Sequence, residues 1–78
     1  MNYWVFKGGN EYIARDQETN HYAIRENNFD DLMGKLFRKV LDQGDFKEIN
    51  IFPDHGLKPD ERSYIEKVVQ MYNSAIKL

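Results

Sequence analysis

The sequence predicts an α+β domain of β-β-β-α-β-α order. It reads as a two-layer sandwich: an antiparallel three-stranded meander plus a fourth strand, with two helices on one face of the sheet. Three observations predict it. Short aromatic and β-branched runs separated by turn residues fill the N-terminal third. The apolar period then changes from 2 to 3.6 at Phe29, and changes again after Pro53.

Tyr3-Trp4-Val5-Phe6 suits a pleated, half-buried surface and is the first strand. Gly8-Gly9-Asn10 supplies residues that tolerate the positive φ of a tight hairpin. Glu11 to Arg15 is the second strand, Asp16 to Asn20 a polar loop, and His21 to Arg25 the third strand. Phe29, Leu32, Met33, Leu36, Phe37, Val40 and Leu41 then share one face of an amphipathic helix. Asn28 is its N-cap, and Asp30 and Asp31 lie in its first turn, where the helix dipole favours anions. Gly44 is its stop signal. Gly34, inside the helix, costs about 1 kcal/mol relative to alanine. Such a glycine leaves room for close approach by another backbone.

Glu48 to Phe52 is the fourth strand, bounded by Pro53, and Asp54 to Leu57 is a turn. Pro59 fits the first position of a second helix, followed by Asp60 and Glu61. Tyr64, Ile65, Val68, Val69, Tyr72, Ala75 and Ile76 form its apolar face, so Tyr64 and Tyr72 are expected in the core.

Bulk composition bounds the function. The 78 residues form one small domain spanning 1–78, with 41% hydrophobic and 31% charged residues. Eleven Lys plus Arg face 13 Asp plus Glu, spread evenly along the chain, which argues against a strongly basic nucleic-acid binder. With no cysteine there is no thiolate metal site, cysteine nucleophile or disulfide. No cofactor or metal site is expected. No signal peptide or membrane span is read, so the expected setting is cytoplasmic.

The enzyme case is weak. There is no G-x-G-x-x-G after a strand, and no Walker-type loop or nucleophile elbow. Ser63 and Ser74 both lie in the second helix with no histidine at helical spacing. Asp54-His55-Gly56 is the most site-like tripeptide, but its composition is turn chemistry.

A surface is what the sequence offers. A two-residue turn makes opposite positions on the first two strands sum to an odd number. With Trp4 near Ile13, and Ile13 opposite Ile24, one sheet face carries Trp4, Phe6, Ile13, Tyr22 and Ile24 and is expected in the core. The other carries Tyr3, Val5, Lys7, Tyr12, Ala14, His21, Ala23 and Arg25 and is expected to be exposed. The expected function is a non-enzymatic protein-interaction module of adaptor, inhibitor or antitoxin kind. It would bind a protein partner, or a second copy as a homodimer, through Tyr3, Lys7, Tyr12, His21 and Arg25 or through the meander edge. The alternative is nucleic-acid binding on the same face or through Lys35, Arg38 and Lys39 of the first helix.

Overall fold

The computed structural model describes residues 1–19, 21–44 and 47–77, with backbone alone at Tyr22 and Ala23. Strand β1 spans Asn2–Gly8, β2 Glu11–Asp16 and β3 Tyr22–Glu26. Helix α1 follows at Phe29–Asp42, then strand β4 at Asn50–Pro53 and helix α2 at Pro59–Ile76. The predicted order and class hold. The fourth strand starts two residues later than read from sequence and includes Pro53. Proline is tolerated there because β4 is an edge strand.

The sheet order is β3-β2-β1-β4. The meander is antiparallel, but β4 pairs parallel to β1, so the sheet is mixed. Gly9, at φ 63°, and Asn10 form the two-residue turn that fixes the first hairpin. That turn sets Val5 opposite Ala14 and Lys7 opposite Tyr12. In the second hairpin, Ile13 faces Arg25 and Ala14 faces Ile24. The ladder then steps to Arg15 opposite Tyr22, leaving Ala23 as the extra residue of a bulge.

The grouping of β1 and β2 residues into two faces is as expected, but the helices cover the other face. Tyr3, at 1% exposure, lies in the core with Val5, Tyr12 and Ala14. Trp4 and Phe6 are half-buried on the opposite face. The physical reason lies in β2. Glu11 and Arg15 share the parity of Ile13, and burying both charges would be costly, so Tyr12 and Ala14 turn inward instead. The hairpin transmits that choice to β1, where the odd residues follow. Ile24 joins the core margin opposite Ala14, whereas Ile13 is buried outside the main cluster. The expectations for the side chains of Tyr22 and Ala23, and for Asn20, fall outside the described residues.

Both helices pack on the inward face. Leu32, Met33, Leu36 and Val40 of α1 and Ile65 of α2 join the sheet residues, with Ile49 and Leu57 from the connections. Asn28 caps α1 through its side-chain oxygen, which accepts from the backbone N–H of Asp30 at 2.8 Å and Asp31 at 3.2 Å. Gly44 takes φ 71° just beyond the helix, the left-handed geometry of a C-terminal stop.

α2 sits less deeply than its periodicity predicted. Ile65 is its buried residue, Val68, Val69 and Tyr72 are half-buried, and Tyr64 is exposed. Asn73 ties it to the sheet layer. Its side chain accepts from the Ile49 N–H at 2.9 Å and donates to the Ile49 carbonyl at 3.0 Å, as a neighbouring strand would.

Two neighbouring residues of β4 test the face assignment. Ile51 is buried and Phe52 is 53% exposed. Ile51→Ala is expected to lower unfolding free energy by about 2–5 kcal/mol. Phe52→Ala is expected to change it by less than about 1 kcal/mol, as surface substitutions do. Urea denaturation of the two variants checks both values.

Candidate functional site

The outward sheet face collects the even residues of β1 and β4 and the odd residues of β2. Trp4 and Phe6 stack along β1, with ring centroids 4.3 Å apart and planes at 29°. Trp4 is in register with Phe52 on one side and Arg15 on the other. Phe6 is in register with Ile13, which is in turn opposite Arg25. Ile13 is only 7% exposed although no helix covers it, so its neighbours on the face shield it. An ideal Cβ at Gly8 would approach its Cδ1 to 3.2 Å. Gly8 therefore lets the Ile13 side chain lie flat on the sheet. Asn2 and Asn50 continue the same face, with the Asn50 amide donating to the Asn2 side-chain oxygen at 3.2 Å.

The residues singled out from sequence scatter. Tyr3 and Tyr12 are core residues and offer no outward contact surface. Lys7 is exposed, with Nζ 5.4 Å from the centre of the Tyr12 ring. His21 is exposed just before β3. Arg25 alone of the five is exposed on the outward sheet face. On α1, Lys35 pairs with Glu26, while Arg38 and Lys39 lie exposed on the helix.

Trp4 and Phe6, expected in the core, face outward instead; both parities of β1 are aromatic or β-branched, so that strand does not by itself choose a face. The signal that would have found them is the charged pair Glu11 and Arg15 flanking Ile13 on β2.

Asp54-His55-Gly56 is a turn. The Asp54 side chain accepts from the Gly56 N–H at 2.9 Å, and its carbonyl accepts from the Leu57 N–H at 3.1 Å. His55 is exposed. Among the described residues no group of three His, Asp or Glu side chains is arranged to hold a metal ion.

Glu61 has two partners. One carboxylate oxygen accepts from the Lys58 N–H at 2.9 Å and closes the first turn of α2. The other accepts from the Tyr12 hydroxyl at 2.8 Å. That hydrogen bond, with burial behind it, pushes the Tyr12 phenol above its ordinary value. Burial and the nearby Asp16 carboxylate raise Tyr3 in the same direction. The hydrogen bond to Glu26 raises Lys35. These contacts support the fold beneath the outward face.

A scan against protein-family models found no match, and neither did searches of curated proteins and of solved structures. No helix among the described residues is long and apolar enough to cross a membrane.

The raised phenols predict alkaline sensitivity. The unfolded chain loses tyrosine protons near pH 10 and the folded protein at higher pH. Folding therefore favours the protonated form, and stability falls as pH rises above about 10. Tyr12→Phe is expected to lose about 1–2 kcal/mol at pH 7, where the hydrogen bond is intact. It is also expected to flatten the alkaline decline, with Tyr3 and Lys35 retaining the remainder. Thermal melts of both proteins from pH 7 to 11 check the prediction.

Proposed function

We propose that this protein is a non-enzymatic interaction module that binds a protein partner through the outward face of its sheet. The observation that carries the reading is the group Trp4, Phe6 and Phe52 on two neighbouring strands, with both helices packed on the opposite side. A stacked pair presents aromatic area with few torsions left to immobilise, which lowers the entropy lost on binding. Arg25 and Arg15 lie on the same face, and tryptophan and arginine are the residue types enriched at interface hot spots. This proposal moves the contact surface from Tyr3 and Tyr12 to their neighbours and keeps Arg25.

The module acts by occupying a partner's surface, as an adaptor, inhibitor or antitoxin does. Its proposed setting is the cytoplasm, which a chain without cysteine suits.

The same aromatics beside two arginines support a second reading, single-stranded nucleic acid stacked on the sheet. The formal net charge of −2 ranks it below a protein partner.

Affinity capture from the native host lysate, with and without nuclease, tests the proposal. A stoichiometric partner is expected to survive nuclease. The exposed-site variants Phe52→Ala and Arg25→Glu should each weaken it by at least roughly tenfold, the scale of an interface hot spot. The helix variant Lys39→Glu should leave it unchanged. Loss of the signal on nuclease treatment, with affinity falling steeply as salt rises, selects the nucleic-acid reading instead. Sensitivity to Lys39→Glu with no effect of Phe52→Ala moves the interface to α1.

A further inference from the structure

A second surface lies on the other side of the molecule, between the helices. Phe29 meets Tyr64 edge-on at 5.8 Å, and Phe37 meets Tyr72 at 5.9 Å. Both pairs ascend in sequence, so α1 and α2 run in the same direction. The two pairs are eight residues apart on each helix, which is about 12 Å of helix length. Between them the helices leave an open groove of about 360 Å³. Met33 and Val68 line it between the aromatic ends. Met71, 62% exposed, and Gly34 line it as well.

Gly34 carries the argument. It sits in the middle of α1, where any other common residue except proline makes a better helix. A Cβ built there meets nothing within 4 Å, so no neighbour in the chain requires the glycine. It has φ in the helical range, so no backbone geometry requires it either. The missing side chain leaves groove space open and lets another backbone approach α1 closely.

The charges at one end define the occupant. Asp30 lies in the groove wall, and the adjoining depression holds Asp30, Asp60 and Glu61. Neither Asp30 nor Asp60 forms an ion pair among the described residues. The groove is thus apolar along its length and acidic where both helices begin.

We propose that the groove between α1 and α2 receives an amphipathic helix of a partner protein. That helix would seat its apolar face between the two aromatic pairs and place a lysine or arginine beside Asp30. Apolar anchors at i, i+3 or i+4, and i+7 match the two turns of groove available. This inference is independent of the sheet-face reading, since the two surfaces lie on opposite layers.

A display library of random 16-residue peptides, panned on the wild-type protein, tests it. Recovered peptides are expected to share apolar residues at helical spacing with a basic residue at one end. Gly34→Leu should fold at least as stably, since its Cβ meets open space and leucine favours helix. It should nevertheless weaken the recovered peptides by at least about tenfold, by filling the groove. Asp30→Asn should weaken them by about two- to fivefold, the range of a partly screened charge pair. Phe52→Ala should leave them unchanged. Four results would overturn the proposal: no enriched peptide, enrichment of acidic or extended peptides, equal binding to Gly34→Leu, or a wild-type homodimer that Gly34→Leu dissociates.

Discussion

Every face of this molecule follows from the parity of β1. That strand is paired on both sides, antiparallel to β2 and parallel to β4, so its side chains must alternate between two environments. Odd residues Tyr3 and Val5 meet the helices, and even residues Trp4 and Phe6 face outward. A slip of one residue would bury Trp4 and Phe6 and expose Tyr3 and Val5. The slip is prevented from β2. Placing Glu11 and Arg15 under the helices would leave charged groups without water, and Gly9-Asn10 leaves the hairpin no slack. The parallel pairing with β4 extends the same choice to Ile51 inside and Phe52 outside.

The two layers are joined by a few polar contacts as well as by the apolar core. Tyr12 sends its hydroxyl from β2 to Glu61 at the start of α2, and Asn73 near the end of α2 holds the backbone of Ile49. These bonds fix α2 at both ends over the sheet. Between them α2 buries only Ile65 fully and leaves Met71 and Tyr64 open. α1 is anchored more deeply by Leu32, Met33, Leu36 and Val40. The helices touch each other through aromatic rings and do not interdigitate along their length, which is why a groove persists between them.

The core and the exposed apolar surface are therefore built from different residues. The buried set is almost wholly aliphatic and tyrosine, while Trp4, Phe52 and Met71 remain on surfaces where they contribute little to the core. Isolated exposed apolar residues are ordinary in a small protein. Here they are grouped on one sheet face and along one groove, the two surfaces on which the proposals rest.

The sequence alone determined the element order, the α+β class, a two-residue hairpin turn within Gly8-Gly9-Asn10, the Asn28 cap and the turn at Asp54 to Leu57. Each of these is set by residues within a few positions of one another, through periodicity, φ preference or a local hydrogen bond. Arg25 was also legible as an exposed cation of the third strand. The tertiary structure decided the rest. The local pattern Tyr-Trp-Val-Phe is equally compatible with either face, so the choice between Tyr3 and Trp4 waited on charges seven to twelve residues away across the hairpin. The depth of α2 depended on how α1 had already covered the sheet. The open space beside Gly34 depended on where Phe37, Tyr64 and Tyr72 met. Burial is a property of what lies opposite a side chain, and in this fold what lies opposite comes from another element.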